Sequence, residues 1–182
     1  MKAQLVMLFA FFTTLLGCQK DIALQPQILP MELSPQILFE CSITGYGIIN
    51  NEVRYLLTQD GKVVSAEWPE NDLDWNNEKG GFISKEDLFS NYDKCSLVWE
   101  IDTTELKEKV KLIEATIDGL MTELYIPKVY FYSTTTLSCY HWDEQKQMYR
   151  NQLLLMDGRF QQANTTEEAR QLIPYLRKVF KR

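Results

Sequence analysis

The stretch Val53-Arg54-Tyr55-Leu56-Leu57-Thr58, Gln59-Asp60-Gly61, Lys62-Val63-Val64-Ser65-Ala66-Glu67-Trp68 decides the fold class. Two runs rich in β-branched and aromatic residues flank a short connection containing Asp-Gly, where glycine accepts positive φ without penalty, and that pattern predicts a β-hairpin. Upstream, Ile37, Phe39, Cys41 and Ile43 alternate with Leu38, Glu40, Ser42 and Thr44, as expected of a strand with one face in the core. Gly45-Tyr46-Gly47 ends that run.

Downstream, Pro69 to Lys94 is rich in Asn, Asp, Glu and Gly and reads as a long polar connection, with a helical turn at Lys85 to Ser90. Cys95, Leu97, Trp99 and Ile101 alternate as another strand. Asp102 followed by Glu105 starts a helix with a capping box, and Leu106, Val110, Ile113, Ile117 and Leu120 lie on one stripe of it. Gly119 is expected to supply its left-handed cap. Leu124 to Tyr132, Leu137 to Trp142 and Met148 to Met156 read as further strands, with turns at Glu144 to Gln147 and at Asp157-Gly158. Thr165 to Glu168 is a second capping box, with Thr165 as N-cap. It opens a helix whose Ala169, Leu172, Ile173, Leu176, Val179 and Phe180 share a face, and Pro174 points away from that face. The expected class is α+β: an antiparallel sheet with a central hairpin and two covering helices, occupying residues 36–182.

Composition agrees with a globular domain, since 45% of the 182 residues are apolar and 24% charged. A net charge of −6 argues against a nucleic-acid partner, which selects for surplus basic residues.

The amino terminus carries an address. Lys2 precedes the uncharged run Ala3 to Gly17, which is shorter than the roughly 20 apolar residues of a spanning helix and has the form of a signal peptide. That run ends in Leu15-Leu16-Gly17-Cys18, which resembles the lipobox of bacterial lipoproteins. The resemblance implies cleavage after Gly17, lipid attachment at Cys18 with acyl chains such as palmitate, and a lipid-anchored cell-envelope protein. Acyl chains contribute about 0.8 kcal/mol per buried CH₂, so two or three hold a protein to a bilayer without a spanning segment. Gln19 rather than Asp after the cysteine is similar to the pattern of outer-membrane sorting. Outer membrane is therefore expected in preference to inner membrane, on the periplasmic or the outer face. Residues 19–35, with Pro26, Pro30 and Pro35, read as a tether.

Candidate chemistry is sparse. Besides Cys18 the chain has Cys41, Cys95 and Cys139, and an envelope compartment permits one intrachain disulfide. Cys41 with Cys95 is the favoured pair; it would close a loop of about 54 residues, worth roughly 4 kcal/mol in the chain-entropy model. The alternative is three buried thiols. His141 is the single histidine, and a Cys139–His141 nucleophile pair has no third group to orient it. Asp72 to Glu78 spaces oxygen ligands like the start of a calcium loop. Asn77 stands where such a loop has Gly, however, and Ile83 where it has a bidentate Glu. Trp68, Trp75, Tyr130, Tyr132, Tyr140 and Trp142 could stack on glycans or belong to the core. From Arg150 to Arg182 seven residues are basic and three acidic. They complement a helix C-terminus or meet an anionic surface.

With no nucleotide loop, metal cage or catalytic constellation, neither cofactor nor metal is expected. The sequence leans away from an enzyme. It points to a binding or interaction module whose partners are the membrane and another envelope protein, with glycan or calcium binding as the alternative and a hydrolase third.

Overall fold

The computed structural model describes residues 36–45, 51–69, 81–128 and 133–181, without the side chains of residues 51 and 66–69. The signal peptide, Cys18 and the tether lie outside these residues, as do Asp72 to Glu78, Tyr130, Tyr132 and Arg182.

The strands are β1 (Ile37–Gly45), β2 (Asn51–Thr58), β3 (Lys62–Pro69), β4 (Phe82–Ile83), β5 (Ser96–Glu100), β6 (Ser133–Asp143), β7 (Met148–Gly158) and β8 (Gln162–Ala163). They form one open antiparallel sheet in the order β4-β7-β6-β1-β2-β3-β5, with β8 also on β7. The hairpin forms as its sequence predicts, with Leu56 opposite Val64 and Gly61 at φ 84° in the turn. It lies to one side of the sheet and not at its centre, because β6 and β7 build outward from the other side of β1. Four helices are present among the described residues instead of two: α1 (Lys85–Tyr92), α2 (Thr103–Val110), α3 (Ile113–Thr116) and α4 (Glu167–Phe180).

Both faces of the sheet are covered, whereas alternation in β1 predicted one. On the first face Phe39, Cys41, Leu57, Val63, Leu137, Cys139 and Leu154 pack with Leu106, Ile113, Ala169, Leu172, Leu176 and Val179 of the helices. The second face gathers Ile37, Leu56, Val64, Tyr140 and Tyr149 around Leu88 of α1. A bulge explains why Ile37 and Phe39 part company. Ile37 pairs with Thr58 and Phe39 with Leu57, so two steps on β1 meet one on β2 and the parity of the strand changes at Leu38.

Helix α4 keeps its expected apolar face, with Tyr175 also buried and Pro174 exposed. Its N-cap is Thr166, not Thr165; the Thr166 side chain accepts from the Ala169 amide at 3.1 Å. Asp102 caps α2 as expected, accepting from the Thr104 amide at 2.6 Å.

The helix expected from Asp102 to Gly119 instead breaks after Val110. The amides of Leu112, Ile117 and Gly119 bond to the carbonyl three residues back, and the buried Thr116 hydroxyl donates to the Ile113 carbonyl at 2.7 Å. Such a hydroxyl competes for a helical acceptor and tightens the turn. Gly119 does not adopt positive φ. It is required by close approach, because a Cβ there would overlap the Asn164 side chain.

Candidate functional site

Leu124 to Tyr132 was expected as a strand; in the structure residues 124–128 have no ladder of their own. Instead the segment after α3 runs along β8, with bridges Met121 to Asn164 and Tyr125 to Gln161. The Thr122 amide donates to the Ala163 carbonyl at 2.8 Å, and Tyr125 and Gln161 exchange both backbone bonds at 2.9 Å. Asn164 locks this arrangement from beneath. It is 2% exposed; its Nδ2 donates to the Thr116 carbonyl at 2.9 Å, and its Oδ1 accepts from the Thr166 amide and hydroxyl at 3.0 and 2.8 Å. Thr165, released from capping, donates to the Leu120 carbonyl at 2.8 Å.

The segment so fixed displays its apolar side chains outward: Leu120 is 80% exposed, Leu124 54%, Tyr125 59% and Ile126 60%. Large apolar groups exposed singly are ordinary, but four within seven residues on a hydrogen-bonded backbone form an apolar ridge, the candidate site of this domain. The other exposed apolar pair, Leu97 and Val98, sits on edge strand β5. There a bulge separates Trp99, paired with Val63, from Leu97, paired with Val64. Such a bulge turns an edge away from further pairing.

The strongest electrostatic feature lies on the second sheet face. Glu40 and Glu52, 5% and 7% exposed, flank Arg54: Arg54 Nη1 stands 3.2 Å from Glu40 Oε1, and Nε stands 2.6 Å from Glu52 Oε1. The buried Tyr140 hydroxyl donates to Glu40 Oε2. Burial pushes the Glu40 carboxyl up, against the pull of Arg54 and Tyr140, with the Glu52 charge adding to the rise. A carboxyl raised in the folded state adds stability that is fully present below its ordinary value near 4.5 and lost as pH climbs through the raised one. The variant E40Q cannot ionise there. Its stability relative to wild type should therefore grow as pH rises from 4 to 8 in urea unfolding; parallel profiles would remove Glu40 from the account.

Compared with known proteins, the chain matches no family model, no curated protein and no solved structure. Its chemistry must therefore be read from its own residues.

The expected Cys41–Cys95 disulfide is not formed; both are free thiols, as is Cys139. The bulge at Leu38 leaves Cys41 in the first-face core, while Cys95 packs against the second-face cluster, so the sheet itself separates them. Burial raises the Cys41 thiol to about 12, and those of Cys95 and Cys139 to about 11. Thiols held so far up are poor nucleophiles near neutral pH. Cys139 touches the Thr116 hydroxyl at 3.5 Å in the core, and half-buried His141 lies two residues along the same strand, opposite Arg150. Of the aromatic set, Tyr140 is buried, and half-buried Trp142 meets Tyr149 in a T-shaped contact at 5.0 Å. Among the described residues no group of His, Cys, Asp and Glu could hold a metal ion, and no helix is long and apolar enough to cross a membrane. The ridge and the buried Glu40–Arg54–Glu52 cluster were both missed by sequence periodicity.

Proposed function

We propose that this chain is a lipid-anchored protein of the cell envelope, attached through Cys18 to the outer membrane. Its α+β domain acts as a non-enzymatic module that docks a second envelope protein through the ridge Leu120 to Ile126. The observation that carries this reading is the ridge: four large apolar side chains, 54–80% exposed, on backbone fixed to residues 161–165. A protein with an apolar patch of its own is the occupant such a surface fits, since association is driven chiefly by apolar area removed from water. The lipobox-like Leu15-Leu16-Gly17-Cys18 supports the anchor. A short apolar leader followed by an acylated cysteine accounts for membrane attachment without a spanning helix.

The test places a photo-crosslinking residue at position 125 in intact cells, beside the variants I126D and C18S. One dominant protein adduct is expected at position 125, lost in I126D. C18S should leave the membrane fraction or fail to be processed. No adduct at position 125 would overturn the docking surface, and an unchanged membrane fraction of C18S would overturn the anchor.

A further inference from the structure

The first face of the sheet is left partly open at the Gly45 end of β1. There Cys41, Leu137 and Leu155 stand side by side on β1, β6 and β7, and one step outward Ile43, Thr135 and Asp157 do the same. Helix α4 reaches across them, from β7, where Arg177 meets Asp157 at 2.7 Å, to β2, where the Phe180 ring lies 6.4 Å from that of Tyr55. The helix ends at this point, and a groove of about 340 Å³ remains between its last turn and the strands. Cys41 and Leu137 close the bottom of the groove, while Ile43, 36% exposed, and half-buried Leu155 and Phe180 give it an apolar opening.

Ridge and groove are near neighbours. Leu155 pairs with Ala163 of β8, and the Ala163 carbonyl receives the Thr122 amide. The ridge backbone therefore runs two strand spacings, roughly 10 Å, from the groove floor. It does not fill that groove itself. Its backbone is tied to residues 161–165, and its four large side chains stay 54–80% exposed.

The charges on the two surfaces are complementary. Within residues 120–126 the single charged residue is Glu123, which is exposed. On the groove, Arg177 is already taken by Asp157, whereas Lys181 is exposed. Among the described residues neither Glu123 nor Lys181 has an ion-pair partner. Each surface thus offers apolar side chains and one accessible, unpaired charge, and the two signs are opposite. A single ridge in a single groove is small against the roughly 20–30 residues a side of a standard interface. A two-fold arrangement engages the ridge and the groove of both copies at once, because in such an interface every contact occurs twice.

We propose that the partner of the ridge is a second copy of this chain. In the resulting dimer the ridge of each protomer lies in the groove of the other, with Leu124, Tyr125 and Ile126 toward Ile43, Leu155 and Phe180, and Glu123 on Lys181. This inference rests on the ridge being a docking surface, and it names what docks there.

The test uses intact cells and the full chain, with a photo-crosslinking residue at position 125 or, separately, at position 43. Both positions should give an adduct of twice the chain's mass, and both adducts should be lost in I126D. The variants K181E and E123K should each lower the yield about threefold, because an exposed ion pair becomes a like-charge contact. The double variant E123K/K181E should recover most of it. A K181E that merely weakened the end of α4 would not be rescued by E123K, so the recovery separates docking from folding. An adduct at position 125 with a protein of another mass would overturn self-docking and leave the ridge as a docking surface; no adduct at position 125 would overturn both. An adduct of twice the mass at position 125 but none at position 43, or no recovery in the double variant, would overturn the groove as the ridge's seat.

Discussion

Replacing Arg54 with alanine should cost about 3–5 kcal/mol, the penalty expected when one partner of a buried ion pair is removed and its counter-charge stays behind. Glu40 and Glu52 both lean on this one guanidinium, at 3.2 and 2.6 Å, with side-chain exposures of 7% and 9%. Without it two carboxylates on one sheet face have, among the described residues, no cation between them. A loss of that size is a large share of the 5–15 kcal/mol that holds a typical domain together. Acid should partly rescue the variant, because protonating Glu40 removes the uncompensated charge. The triple variant E40Q/R54M/E52Q should return close to wild-type stability, since well-packed neutral side chains commonly replace a buried ion cluster at little cost. Urea unfolding at pH 5 and pH 7 checks all three statements. A loss below about 1 kcal/mol in R54A is the behaviour of a solvated surface pair and would show that water reaches the carboxylates.

That cluster also shows where periodicity stopped informing. Glu40 and Ser42 alternate with Phe39 and Cys41, and alternation with polar residues ordinarily marks a solvent-facing side. Here the polar side is interior. The available signal was the doubled apolar pairs Leu56-Leu57 and Val63-Val64, which place large side chains on both faces of the hairpin. The hairpin, β6, β7 and α4 were legible because each rests on local periodicity plus its own turn or cap. Of the strand expected from Leu124 to Tyr132, residues 124–128 were misread because β-branched and aromatic content measures fitness for a pleated surface, not the presence of a partner strand; residues 129–132 lie outside the described residues. The break between α2 and α3 falls where the Leu112 amide turns to the Lys109 carbonyl three residues back, and the sequence stripe through Ile113, Ile117 and Leu120 ran past it. The ridge needs two facts that no window of sequence contains. One is the pairing of residues 121–125 with 161–164, and the other is an asparagine forty residues downstream that fixes it.

Asn164 is accordingly the residue whose loss should uncouple the ridge from the domain. In N164A the Thr116 carbonyl loses its Nδ2 donor, and the Thr166 amide and hydroxyl lose their Oδ1 acceptor, in a region where Asn164 is 2% exposed and Thr116 is fully buried. Each buried group left unsatisfied costs about 1–3 kcal/mol. The Thr166 hydroxyl is also freed to turn away from the Ala169 amide it caps, which weakens the first turn of α4. A total of about 3 kcal/mol is expected, against less than about 1 kcal/mol for T165A, which removes a single exposed hydrogen bond to the Leu120 carbonyl. The more informative readout is local. The Thr122 and Tyr125 amides bond to the carbonyls of Ala163 and Gln161, and in N164A their hydrogen exchange should accelerate far more than that of the β1, β2 and β6 core, because local opening costs less than global unfolding. If these two amides keep their wild-type protection while the whole domain loses stability uniformly, Asn164 is a general core residue and the ridge stands without it. If they open first, the same variant should also lose the adduct at position 125, since apolar side chains dock as a surface only while the backbone beneath them is held.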